Sequence, residues 1–323
     1  MSGGLHRIGA VARRNSGKLV VLCLQIGLLA ACAHPEAPPL PPRVDIPHGQ
    51  GRIWQIDREG LPSSYVFGTL HVTDPRVRSL PVEVGNAFRR SQIAAFEVVD
   101  DPDREEEDDF GIDRVKLPEG TTLRSLIGAH AYGQLTSIMQ GRGYYKPRND
   151  LKPWVFWDYL GGPWGTFYGN DRKSSPENEI LDDWLERRAR EDHKEVVGLE
   201  TVEESFAIFD EMPMKTQVAL LQASLENYHD YTFGVPRVKF YLDGDLAQLR
   251  ALWEERLSWL DPETARVLDD RLLNDRNRKM VARMIPLMEK ASTFVGVGAA
   301  HMAGEQGILR LLEQEGFTVT RLD

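Results

Sequence analysis

Thr293-Phe294-Val295-Gly296-Val297-Gly298-Ala299-Ala300-His301 is an apolar, β-prone run that ends in Gly-x-x-His and then enters a helical stretch. An earlier stretch, Tyr65-Val66-Phe67-Gly68-Thr69-Leu70-His71, has the same form. A continuous apolar run of this kind reads as a buried strand. The chain turns away where such a strand ends, and side chains there face a crevice. The glycine permits a tight turn or a close backbone approach, and the histidine three residues on projects into that crevice. One Gly-x-x-His carries little information; two at matching strand exits point to one site built from opposite ends of the chain.

Working outward, Ile53–Ile56 and Tyr65–Gly68 flank the turn-forming residues Asp57–Ser64 and read as a hairpin. Pro81–Arg90 reads as a helix opened by proline, and Ile93–Val99 as a buried strand interrupted by Glu97. The middle is helical and aromatic. Pro153-Trp154-Val155-Phe156-Trp157 and Pro163-Trp164 read as core or pocket wall, and Asn178–Arg190 has helical apolar spacing. A short strand is expected at Glu195–Leu199. Helices follow at Thr201–Met212 and Met214–Asp230, two more within Gly234–Leu260, and one at Asp275–Lys290. The chain closes with strand Thr293–Val297, helix Glu305–Glu315, Gly316 as a C-cap residue and strand Thr318–Leu322. This pattern predicts an α/β (α+β mixed) fold: a mixed sheet flanked by helices, in two pseudo-symmetric halves with a helix-rich middle.

The N-terminus reads as an address. Residues 1–31 hold Arg7, Arg13, Arg14 and Lys18 but no acid, and Leu19–Leu29 is largely apolar. This is the pattern of a secretory signal, too short and interrupted for a stable transmembrane helix. Leu29-Ala30-Ala31-Cys32 resembles a bacterial lipobox, in which Cys32 is lipidated; a plain secretory signal is the alternative. Ala33 follows without an aspartate, which favours the periplasmic face of the outer membrane. Six prolines between 33 and 47 make residues 32–51 a semi-rigid, poorly packed tether, leaving 52–323 as the folded domain.

The net charge is −10, and after the first 31 residues 35 bases stand against 49 acids. An acidic body lacks the basic face a phosphate-backbone binder needs, so nucleic acid is an unsuitable partner. Two cysteines, one inside the signal, exclude a disulfide framework, a Cys-rich zinc module and a cysteine nucleophile in the mature body. No Gly-x-Ser-x-Gly elbow or His-Glu-x-x-His helix is present. The acidic residues between Asp100 and Asp109 lack the spacing of a calcium loop and read as solvated. Two neutral imidazoles can hold a divalent metal if a carboxylate joins them, which makes His71 and His301 candidate metal ligands. Glu97 lies in an apolar run and must be paired if it is ionised there. Glu200 follows Val196-Val197-Gly198-Leu199 at a strand exit, while Thr201 and Glu204 can form a capping box without it. Arg276, at the start of the last long helix, is a candidate partner for a buried carboxylate. His6, His34, His48, His130, His193 and His229 sit in no ligand pattern.

From Ile53 to the C-terminus these segments resemble the TraB/GumN family, whose animal relatives are the Tiki membrane-tethered metalloproteases. The resemblance rests on Tyr65–His71, Phe96-Glu97, Gly198-Leu199-Glu200-Thr201-Val202-Glu203-Glu204, Leu242-Asp243-Gly244-Asp245, Arg276-Asn277 and Phe294–His301. It implies a divalent metal (manganese, cobalt or zinc, the first two favoured) held around the two Gly-x-x-His motifs, and in Tiki-like members peptide-bond hydrolysis. Carried onto this chain, His71 and His301 become metal ligands, Glu97 a ligand or general base, and Glu200 and Arg276 supporting catalytic residues. The expectation is a metal-dependent hydrolase of the bacterial envelope, acting on periplasmic peptides or proteins. The alternative is a non-catalytic binding protein using the same crevice for haem, a metal or a peptide.

Overall fold

The computed structural model describes residues 40–99, 113–160, 179–228 and 234–323, which all belong to one compact body. The signal, Cys32, the acidic run Asp100–Asp109, Pro163-Trp164 and His229 lie outside the described residues. In chain order the elements are β1 (Ile53–Asp57), β2 (Ser64–Thr69), α1 (Val82–Arg90), β3 (Ile93–Phe96), α2 (Leu123–Gly141), α3 (Pro153–Tyr159) and α4 (Leu181–Glu191). Then come β4 (Glu195–Gly198), α5 (Val202–Asp210), α6 (Met214–Glu226), α7 (Gly234–Leu242), α8 (Leu246–Leu257), α9 (Pro262–Asp269) and α10 (Asp275–Lys290). The last three are β5 (Thr293–Gly298), α11 (Ile308–Gln314) and β6 (Thr318–Arg321). Among the described residues no helix is long and apolar enough to cross a membrane.

The six strands form one mixed sheet in the order β4-β3-β5-β2-β1-β6. The first four are mutually parallel, and β1 and β6 complete the other edge by antiparallel pairing. The unalternating runs of β2, β3 and β5 are buried along their whole length, as expected of strands covered on both faces. The two Gly-x-x-His strands are neighbours: β2 pairs with β5 so that Gly68 lies opposite Val297 and Thr69 opposite Gly298. The matching motifs therefore leave the same end of the sheet side by side.

Two expectations are corrected. The strand predicted over Ile93–Val99 stops at Phe96, so Glu97 stands just past a strand end rather than on a strand face. Its backbone still continues the ladder, since Leu199 N–H donates to the Phe96 carbonyl (2.8 Å) and Glu200 N–H to that of Glu97 (2.7 Å). The described part of the expected tether, residues 40–51, is packed and includes a turn at His48. Gly51 N–H donates to Gly244 O, Gln50 to the Asp243 carbonyl and Gln248 to the Pro41 carbonyl, while Arg43 pairs with Asp245 (2.9 Å). These bonds fix the α7–α8 turn beside the site.

The hydrophobic interior has two parts. One surrounds the sheet, and the other gathers α2, α3, α5, α6 and α9 around Trp154, which stacks on Phe209 with ring centroids 5.6 Å apart. The aromatic segment 153–157 is thus core. The capping box at Thr201 forms as predicted, with Glu204 accepting from Thr201 N–H and Thr201 from Glu204 N–H. The helix expected from Asp275 has a longer approach: α9 runs through a π-type segment, Asp270–Asn274, directly into α10. Such segments reset which face a helix presents, and this one delivers Arg276 to the sheet.

Candidate active site

The C-terminal ends of four successive parallel strands each deliver one predicted residue: Glu200 after β4, Glu97 after β3, His301 after β5 and His71 after β2. Arg276 enters from α10 and joins them. All five sequence-predicted site residues therefore meet, and Glu97, Glu200, Arg276 and His301 are each about 5% exposed or less.

Arg276 is the hub. Its Nη2 donates to Glu97 Oε2 (2.7 Å) and Glu200 Oε2 (2.6 Å), its Nε to both Glu200 oxygens (3.0 Å each), and its Nη1 to the Leu272 carbonyl (3.2 Å). Nη1 also lies 3.2 Å from His301 Nε2. Burial pulls the Arg276 pKa down, but the Glu97 charge and the Glu200 hydrogen bonds more than offset this, and the guanidinium stays charged. Burial raises the Glu97 carboxyl; the Arg276 charge, with His301 and His71 also acting, overcomes that and holds it well below the usual range. The second Glu97 oxygen, Oε1, accepts from Gly298 N–H at 2.6 Å. A side chain at 298 would place its Cβ 2.9 Å from that oxygen and 3.4 Å from His71 Nε2, so glycine is required here by close approach.

His301 is held in one tautomer. Asn277 donates through its amide nitrogen to the Gln306 carbonyl (2.7 Å), which turns its oxygen toward His301 Nδ1 (2.6 Å). Nδ1 must therefore carry the hydrogen, and Nε2 presents a lone pair. Burial, and next the Arg276 charge, push the His301 pKa down to about 3, so the ring is neutral at pH 7. On the other side, His71 Nε2 lies 3.7 Å from Glu97 Oε1 and 3.5 Å from Asp182 Oδ1, and His301 Nε2 lies 3.8 Å from Glu97 Oε1.

Four residues were missed by sequence reasoning. Asp182 opens α4 and accepts from Thr69 Oγ1 (2.6 Å); burial raises its pKa, and its Oδ2 is buried without a hydrogen-bond partner. In sequence it is one of two acids in a helical first turn, where aspartate needs no further reason. Thr69 and Asn277 sit beside residues already singled out. Tyr241, buried on α7, donates to the Gly68 carbonyl (2.9 Å) and pins the first Gly-x-x-His turn; nothing local distinguishes it from a core aromatic. Of the other histidines, His48 pairs with Glu313 (3.0 Å), while His130 and His193 are exposed.

The donor types suit a borderline divalent ion: two imidazoles, one locked with its Nε2 lone pair inward, and two carboxylates, one carrying an orphaned buried oxygen. The arrangement is that of an ion-pair cluster. Among the described residues no group of three or more His, Cys, Asp or Glu is placed to hold a metal ion, and the Arg276 guanidinium stands against the His301 lone pair. The expected ligands are thus brought together in chemistry but not converged on one point.

A cavity of about 180 Å³ opens above this cluster, lined at its base by His71, Glu97, Arg276 and His301 and along its wall by Leu249, Leu252, Trp253, Leu272 and Leu273. A mixed α/β sheet with a histidine–carboxylate–arginine cluster at the ends of its parallel strands and an apolar crevice above it is the layout of a ligand-binding or hydrolytic α/β domain. The chain belongs to the TraB/PrgY/gumN family, whose model matches residues 52–321. It is similar to metalloprotease TIKI2 of Danio rerio (25% identical; 83% of this chain, 60% of the relative) and metalloprotease TIKI1 of Xenopus tropicalis (25%; 83% and 60%). The metalloprotease TIKI homolog of Nematostella vectensis is 23% identical over 83% of this chain and 66% of its own. The chain thus spans about three-fifths of the length of the TIKI2 and TIKI1 relatives it matches. No solved structure matches it.

Proposed function

We propose that this chain is a metal-dependent peptidase of the bacterial cell envelope, anchored through Cys32 and acting on peptides or proteins in the periplasm. The observation that carries the reading is the meeting of both Gly-x-x-His histidines on one carboxylate, Glu97, at the base of an apolar crevice. The naming of its relatives as metalloproteases supports the same chemistry. His71 and His301, with Glu97, are the residues that would hold the metal. A divalent ion supplies polarisation of a scissile carbonyl and activation of the attacking water.

The chain's own residues set the rest. Asn277 keeps His301 in the tautomer whose Nε2 is an acceptor. Glu97, with one oxygen on Gly298 N–H and the other on Arg276, is a weak proton acceptor, so it serves better as a fixed negative charge than as the general base expected from sequence. Among the carboxylates of the cluster, Asp182 retains a lone pair without a partner and is the better-placed acceptor for a proton. Glu200 keeps Arg276 in place, and the leucine wall gives the crevice an apolar side.

The test is the metal content of the purified full chain by mass spectrometry, beside His71→Ala and His301→Ala, followed by a peptide-library screen. Near-stoichiometric manganese, cobalt or zinc, lost in both variants with unchanged circular dichroism and accompanied by peptide cleavage, is expected. A wild-type chain that takes up none of these metals when they are added overturns the reading.

A further inference from the structure

Arg237, on α7, lines the same cavity but plays no part in the cluster at its base. Arg276 is saturated by two carboxylates, whereas Arg237 has no ion pair or hydrogen bond among the described residues, and its Nε is sealed from solvent with no partner. Burial, then the like charge of Arg256, push its pKa down to about 10, which leaves it charged at neutral pH. A half-buried guanidinium whose Nε meets no acceptor is costly. The wall beside it carries Leu249, Leu252 and Trp253, together with Arg256.

From the unpaired guanidinium and the apolar side chains that flank it, we infer that Arg237 is the anchor for a carboxylate of the peptide substrate, with an apolar side chain of that peptide against the leucines. The planar fork of arginine matches a carboxylate in a way an ammonium does not. That the ligand is a peptide rests on the peptidase reading above. The carboxylate comes either from the peptide C-terminus or from an acidic side chain near it. In the first case the site selects chain ends; in the second it selects sequence.

The experiment is isothermal titration of the full chain in detergent with EDTA present, so that neither metal nor turnover contributes. Three N-acetylated leucine peptides of equal length serve as probes: a free C-terminal acid, its C-terminal amide, and an amide ending in glutamate. The free acid or the glutamate peptide is expected to bind at least about tenfold more tightly than the plain amide, and whichever gains identifies the source. Arg237→Gln should erase the preference and Arg237→Lys retain part of it, both with native circular dichroism. The wild-type comparison needs no variant, so a misfolded Arg237→Gln does not protect the idea. Equal binding of all three peptides, no binding, or a preference that survives Arg237→Gln overturns it. A carboxylate preference in a chain that binds no metal and cleaves nothing would sink the peptidase reading alone; cleavage indifferent to the carboxylate would sink only this one.

Discussion

Replacing Arg276 by methionine tests the reasoning about the cluster most directly. The substitution keeps much of the side-chain volume but leaves Glu97 and Glu200, both about 5% exposed, without the guanidinium they share. Breaking a buried ion pair by removing one partner costs roughly 3–5 kcal/mol, a large part of the ~5–15 kcal/mol total of a folded domain. At about 2–4 °C per kcal/mol, the midpoint of thermal unfolding should fall by about 6–20 °C. Neutralising the acids as well, in Arg276→Met/Glu97→Gln/Glu200→Gln, should recover most of the loss, because the cost lies in the stranded charges and not in the absent contacts.

The loss also has a sign in pH. In the wild type the Glu97 carboxyl is held below its ordinary value of 4.5, so its contribution is present above that pH and lost as pH falls through the folded value. Without Arg276, burial is left as the largest influence, and the folded Glu97 value rises above the unfolded one. The variant is then penalised above about pH 4.5 and relieved below it. Denaturant unfolding with EDTA at pH 4.5 and pH 7 should show a wider gap between wild type and Arg276→Met at pH 7. A loss under ~1 kcal/mol, a gap that does not change with pH, or a triple variant as unstable as the single one would show that Arg276 does not hold Glu97 in its charged form.

Gly298→Ala should push Glu97 off its backbone donor, costing about 1–3 kcal/mol by overpacking, and the loss should shrink in a Glu97→Ala background when both are measured by urea unfolding. Tyr241→Phe leaves the Gly68 carbonyl without its buried donor and should cost about 1–2 kcal/mol, read from the shift in denaturation midpoint at unchanged slope. Glu204→Gln keeps an acceptor for Thr201 N–H but removes the charge facing Arg283, whose hydrogen bonds lower the Glu204 pKa to about 2. Because both side chains are partly exposed, the wild-type advantage should be only ~0.5–1 kcal/mol, present above pH 4.5 and lost as pH falls toward 2.

What could be read from sequence, and what could not, divides along one physical line. Motifs carried by the backbone's own periodicity were legible: the unalternating strands, the hairpin, the Thr201 capping box and the repetition of Gly-x-x-His all state local requirements in local sequence. From these alone His71, His301 and Glu200 fall at strand exits and Glu97 within a strand, and the parallel order of the sheet then brings all four to one end. Asp182, Tyr241 and Arg237 are different. Each lies on a helix where its residue type is unremarkable, and each acquires a role only because a helix distant in sequence is laid across the strand ends. Asp182 meets Thr69 across 113 residues and Tyr241 meets Gly68 across 173. Just past the strand boundary at Phe96, the Glu97 side chain is held by Arg276, 179 residues away, and by the Gly298 amide, 201 away. The local sequence specifies which residues can be buried; the long-range pairing of charges decides which of them work together.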